Sequence, residues 1–99
     1  MPKHFRPPSK KEEALLQALL KREGFGLDLA QRCKISRGTV YVTLSRLEVK
    51  GYVVSRQETR EGAIGLPIRI YAITELGKRL LEALKLAQEH LNSSPRPRG

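Results

Sequence analysis

The residues best suited to chemistry lie in one short stretch, Ser36 to Arg46, which reads SRGTVYVTLSR. Ser36 is a strong helix N-cap. Val40, Leu44 and Leu47 recur at i, i+4 and i+7, the spacing of one inward helical face. The opposite face then presents Gly38, Val42 and Ser45, flanked by Thr39, Tyr41 and Arg46. Small side chains at its centre let a helix backbone approach a groove floor, while hydroxyl and guanidinium groups at its edges can hold phosphates. The helix N-terminus, together with Ser36, offers further donors to a phosphate. Arg37 has the reach and fork geometry to pair with a guanine edge, or it serves as a phosphate anchor only. Tyr41 can direct its hydroxyl to phosphate with its ring on a sugar, or pack as a partly buried residue. Val42 either meets a thymine methyl group or stays idle. The chemistry offered is nucleic-acid readout.

Catalysis finds no comparable footing. His4, Cys33 and His90 have neither metal-ligand spacing nor the arrangement of nucleophile, base and orienting group. The glycines at 24–26 and 62–65 match neither a Walker loop nor a dinucleotide fingerprint. No enzyme, metal or cofactor is expected.

Composition agrees with a binding role. The chain has 99 residues, one domain's worth, with 39% hydrophobic and 29% charged residues, enough for one modest core. Such a small core favours shared burial in an oligomer. Nineteen Lys and Arg against ten Asp and Glu leave a net charge of +9, which calls for a polyanionic partner, nucleic acid or anionic membrane. A single cysteine, Cys33, excludes an internal disulfide framework and points to a reducing cytoplasm. No apolar run approaches the ~20 residues that span a bilayer, and MPKHFRPPSKK has no signal-peptide core. Neither a secreted nor a membrane-spanning protein is expected.

The surrounding elements must position the Ser36–Arg46 face. Residues 1–8, basic and carrying Pro2, Pro7 and Pro8, read as a flexible tail or as an arm touching phosphate or a minor groove. Ser9 and Glu12 have capping-box spacing and open a helix expected over Lys10 to Glu23, with Gly24 as its left-handed C-terminal cap. Leu15, Leu16, Leu19 and Leu20 form its apolar stripe. GLDLAQRC makes a second helix with Leu27, Ala30 and Cys33 inward and Gln31, Arg32 and Lys34 outward. Two short helices joined by a tight turn, the second one basic, form a helix-turn-helix. Gly51 closes the third helix, and YVVSRQ and IRIYAI have the β-branched and aromatic content of strands. The glycine-containing loop between them completes a wing, whose Arg56, Arg60 and Arg69 are expected to face DNA.

Thr74 caps a last helix over about Glu75 to Leu91, striped with Leu76, Leu80, Leu81, Leu84, Ala87 and Leu91. A stripe that broad exceeds what a small domain covers, so a second copy of the chain is the expected partner. The fold class is thus mainly α with a small β-hairpin: a winged helix-turn-helix over 9–74, a C-terminal dimerisation helix over 75–92 and a basic, disordered tail over 93–99.

SRGTVYVTLSRLEVKGYV resembles the recognition helix and following turn of PadR-like transcriptional regulators, through Ser36, Gly38, Thr39, Tyr41, Leu44, Leu47, Glu48 and Gly51. RIYAITELG resembles that family's second wing strand and C-terminal helix start, through Arg69, Tyr71, Thr74 and Gly77. FGLDL resembles the segment that opens its helix 2. The resemblance implies a homodimeric repressor that binds double-stranded DNA at a palindromic operator, with Ser36, Thr39 and Tyr41 on DNA and the wing on adjacent backbone or minor groove. It also implies that the C-terminal helix crosses helix 1 of the other subunit, which would bring Leu16 and Leu20 to an interface with Leu80, Leu84, Ala87 and Leu91. Some small family members bind planar apolar molecules at that interface, so a small-molecule effector there is allowed. The chain departs from the family where Val42 replaces a common proline, and it ends after one C-terminal helix. Outside the family, the alternatives are a winged-helix protein-interaction module or a less specific nucleic-acid binder of a mobile element or phage.

Overall fold

The computed structural model describes residues 7–59 and 68–93, the side chains of 91–93 excepted. Three helices precede a hairpin and a fourth follows it: α1 (Lys10–Lys21), β1 (Gly24–Phe25), α2 (Gly26–Cys33), α3 (Arg37–Val49), β2 (Val53–Glu58), β3 (Ile68–Ile73) and α4 (Glu75–Ser93). The strands form one antiparallel sheet in the order β1-β3-β2. Gly24 pairs with Tyr71 at one edge, and β2 runs against β3 from Val53–Ile73 to Glu58–Ile68.

Local signals set the helix boundaries. The Ser9 side chain accepts from the Glu12 backbone N–H while the Glu12 carboxylate accepts from the Ser9 N–H at 2.8 Å, a complete capping box. That same carboxylate is largely buried and pairs with Lys50 Nζ at 3.4 Å, tying the start of α1 to the end of α3. α3 ends in a Schellman motif: Tyr52 N–H reaches the Leu47 carbonyl, Gly51 N–H reaches Glu48, and Gly51 takes φ +87°. The same 6→1 and 5→2 pattern closes α2 around Lys34, here in the left-handed region without glycine's freedom.

Two expectations at the first turn need correction. α1 stops at Lys21 with Arg22 extended, and Gly24 is not a left-handed cap but a strand residue. The backbone of Gly24–Phe25 finds its partner in β3, far away in sequence, so nothing local announced it. In α2 the inward residues are Leu29 and Ala30, while Leu27 is half-exposed. Eight residues barely exceed two turns, so the apolar pattern alone left the phase of this helix ambiguous.

The core is a single cluster drawn from every major element: Leu15, Leu16 and Leu19 of α1, Leu29 of α2, Val40, Leu44 and Leu47 of α3, Val53 of β2, Tyr71 of β3 and Leu81 of α4. Leu16 was expected at an interface, but it is fully buried within the protomer and has no surface left for a second chain.

α4 joins the domain at a tight knot. Thr74 accepts the Gly77 N–H at 3.1 Å and donates its own hydroxyl to the Gly51 carbonyl at 2.7 Å, so one side chain caps α4 and holds the end of α3. A Cβ at Gly77 would overlap the Tyr52 carbonyl oxygen and the Ile73 side chain. Gly77→Ala should therefore destabilise the fold by about 1–3 kcal/mol through overpacking, although helix propensity alone favours Ala by about 1 kcal/mol. Urea unfolding measures it, and a variant as stable as the parent would show that this approach is not tight.

Candidate nucleic-acid interface

The inward seam of Val40, Leu44 and Leu47, with buried Thr43 beside it, determines what α3 shows to solvent. Thr43 donates to the Thr39 carbonyl at 2.6 Å, which keeps its hydroxyl satisfied inside the helix. Outward-facing and exposed are Arg37, Gly38, Tyr41, Val42, Ser45 and Arg46, with Thr39 half-buried at their edge. Val42 is 53% exposed and no heavy atom lies within 4 Å of a Cβ built on Gly38, so the centre of the face is low and open.

Ser36 works mainly as the cap. Its oxygen accepts from Thr39 N–H at 3.3 Å, and its hydroxyl lies 2.9 Å from the Thr39 hydroxyl. The two hydroxyls thus form one polar pair at the helix N-terminus. Tyr41 is 45% exposed, and its ring lies so close over Gly26 that any Cβ there would overlap it. The tyrosine therefore joins the outer face of α3 to the N-terminus of α2, a packing contact that leaves half the ring in solvent.

On the sheet, Arg69 is exposed and donates to Ser55 Oγ at 3.0 Å, while Ser55 donates to Glu48 at 2.8 Å. This chain links β3 through β2 to α3, and no feature of the sequence pattern signalled it. Arg56, expected to face DNA, is instead held by Glu23 at 2.8 Å and Glu58 at 2.9 Å. The hydrogen bond from Arg56 keeps the Glu23 carboxyl below the usual carboxylate range. Arg60 lies outside the described residues.

Ion pairing sorts the cations. Arg32, expected on the outside, is mostly covered: it pairs with Asp28 at 2.9 Å and donates to the carbonyls of Ala18, Arg22 and Glu23, closing the C-terminus of α1. Lys50 is spent on Glu12 and Arg56 on its two carboxylates. Lys11, Lys34, Arg37 and Arg46 have no ion-pair partner among the described residues. The first turn of α3 contains no acidic residue. Lys11 stands in the first turn of α1, where the helix macrodipole disfavours positive charge.

Cys33 has no reactive setting. Its thiol points at the Ala14 carbonyl, 3.6 Å away, and burial pushes its pKa up. Among the described residues no cluster of His, Cys, Asp or Glu could hold a metal, and no helix is long and apolar enough to cross a membrane.

A second surface lies between α1 and α4, a groove of about 640 Å³ that includes Gln17, Leu20, Lys78, Leu81 and Lys85. Leu81 is buried, and Leu80 and Leu84 are partly covered by the core. Leu20, Leu76, Leu86 and Ala87 remain exposed. Leu91 belongs to α4, but its side chain lies outside the described ones.

Known proteins share this arrangement. A PadR family transcription regulator from Clostridium difficile R20291 superposes with a TM-score of 0.74 at 24% identity, over 85% of this chain and 92% of that one. A PadR-like transcription factor from Bacteroides fragilis gives 0.75 at 24% identity, over 84% of each chain. Bacillus subtilis PadR, solved in complex with operator DNA, gives 0.68 at 24% identity, over 89% of this chain and 50% of that chain. These likenesses establish a winged-helix fold. A comparison with curated proteins finds no match. The model of the transcriptional regulator PadR-like family matches residues 15–83, most of the chain and all of α2, α3 and the hairpin, and the protein belongs to that family.

Proposed function

We propose that the protein is a sequence-specific DNA-binding transcriptional regulator, a repressor that acts as a homodimer on a palindromic operator. The observation that carries this reading is the outer face of α3: an open glycine floor at Gly38, flanked by the unpaired guanidinium groups of Arg37 and Arg46 and free of carboxylates in its first turn. Such a face suits a deep groove walled by phosphates. The operator complex of Bacillus subtilis PadR supports the same use of the fold. Arg37 reads a base edge or anchors phosphate, the Ser36–Thr39 hydroxyl pair and the helix N-terminus hold backbone, and the wing, with Arg60 and Arg69, lies on the adjacent strand. Residues 9–74 form the DNA-binding unit and 75–92 the dimerisation helix.

Selection of bound sites from randomised duplexes tests specificity and two-fold symmetry together. Recovery of an inverted repeat with half-sites about one helical turn apart is the expected result. A dimer that neutralises on the order of 6–10 phosphates should also lose about 10³–10⁵-fold in affinity between 50 and 200 mM salt. A flat salt response would count against DNA as the partner.

Gly38 gives a sharper test. Glycine in a helix costs about 0.5–1 kcal/mol relative to Ala, and the open space beside Gly38 means that no internal contact requires it. Gly38→Ala should raise the melting temperature while weakening DNA binding, because the added methyl stands where the groove floor would lie. A variant that gains stability and keeps full affinity would show that the helix does not approach DNA through this residue.

The dimer rests on the leucines left uncovered by one protomer. Leu84→Glu should convert dimer to monomer in sedimentation, with loss of tight binding to the full operator, since a single half-site forfeits the effective concentration of a linked second one. Leu84 also touches the core, so Leu20→Glu, at a half-exposed position on α1, separates interface loss from damage to the fold. A wild-type chain that sediments as a monomer yet binds its full site tightly would remove the dimer.

A further inference from the structure

The recognition face does not stop at α3. Beside it lies a groove of about 340 Å³ between the first turn of α1 and the outer side of α3, lined by Ser9, Lys11 and Glu12 on one wall and by Gly38, Val42 and Arg46 among others on the opposite one. The only carboxylate among its lining residues, Glu12, is occupied by the Ser9 backbone N–H and by Lys50. Lys11 and Arg46, one on each wall, are exposed and have no ion-pair partner among the described residues. A trough whose one carboxylate is already engaged, with a free cation on each wall, is complementary to a linear anion.

We propose that Lys11 and Arg46 form a phosphate clamp in which this groove seats one DNA strand, extending the interface from the helix-turn-helix onto α1. The inference rests on the DNA-binding reading above and adds α1 to it. Lys11 is a positioning residue in this scheme: it holds backbone, so it sets register and affinity without reading sequence.

The test is equilibrium binding of the full chain to its selected duplex and to an unrelated duplex, across a salt series. Each protomer contributes one Lys11, so Lys11→Ala should reduce the slope of log affinity against log salt by about 2 per dimer and lower affinity on the order of ten-fold at moderate salt, alike on both duplexes. Lys11→Arg, which keeps the charge, should restore the slope. Lys21→Ala, which removes an exposed lysine from the opposite end of the same helix, should leave it unchanged. Lys11 makes no ion pair within the described chain, and the helix macrodipole disfavours its charge while favouring that of Lys21, so Lys11→Ala should melt slightly above the parent and Lys21→Ala slightly below, both variants staying folded. If Lys11→Ala keeps the parental slope and affinity while the parent binds in a salt-dependent way, the clamp is wrong and the DNA reading stands. If Lys21→Ala lowers the slope as much as Lys11→Ala, the effect is net charge and the clamp is equally wrong. Absence of salt-dependent binding by the parent itself would remove both.

Discussion

The burial of Val40, Leu44 and Leu47 against α1 is the constraint on which the rest of the structure depends. All three are fully buried, and each advances the helix by about 100° per residue from the one before. Once that seam is fixed inward, Gly38, Val42 and Arg46 have no choice but to face out. The helix cannot slide along its axis either. Ser36 caps one end, and at the other the Schellman turn at Gly51 is held by the Thr74 hydroxyl and the Glu12–Lys50 pair. A rotation of even one residue would bury Tyr41 or Arg37 and expose Leu44, at a cost of about 1.5–3 kcal/mol for the leucine alone.

Charge is distributed by the same logic. The sequence has nearly twice as many cations as anions, and the fold uses several of its carboxylates where chain segments must be joined. Asp28 draws Arg32 onto the end of α1, Glu12 takes Lys50, and Glu23 and Glu58 take Arg56. Of these, the half-exposed Arg56 pairs add little stability individually. The common effect of all these pairs is selective: they remove particular cations from the pool available to a partner and leave others, Lys11, Arg37 and Arg46, around the outer face of α3. A count of positive charge along the sequence sees none of this sorting: it does not show that Arg56 is held by two carboxylates while Lys11 has no ion-pair partner among the described residues.

What the sequence made legible was set by contacts close along the chain. The Ser9–Glu12 box, the Ser36 cap, the i, i+4, i+7 seam of α3 and the Gly51 stop all act within a few residues, and each can be read directly. Leu27 was expected inward but is half-exposed, with Leu29 buried instead, because an eight-residue helix carries too few turns to fix its phase. β1 was invisible because Gly24 and Phe25 become a strand only when β3 lies alongside. Besides the Asp28 carboxylate four residues earlier, Arg32 is covered through backbone carbonyls at Ala18, Arg22 and Glu23, a kind of contact that no side-chain pattern reveals. Leu16 was assigned to an interface because a stripe of adjacent leucines does not say which of them the core will take first.

The junction of α3, β2 and α4 also explains how a small domain could control the spacing of two recognition helices. Tyr52 receives the Thr74 N–H at its carbonyl, and Gly77 approaches that same carbonyl so closely that no Cβ fits. Gly51, one residue earlier, both ends α3 and accepts the Thr74 hydroxyl. The start of α4 is therefore fastened to the end of α3 by backbone groups and one short side chain, with no long flexible residue between them. In the proposed dimer, α4 pairs the two subunits, so the angle fixed at this knot becomes the angle between the recognition helices. A looser joint would let each α3 find its own half-site and would blur the distance between them. A tight joint converts the geometry of the dimer interface into a single allowed half-site spacing. The glycine at position 77, which helix propensity alone would disfavour, is what makes so tight a joint physically accessible.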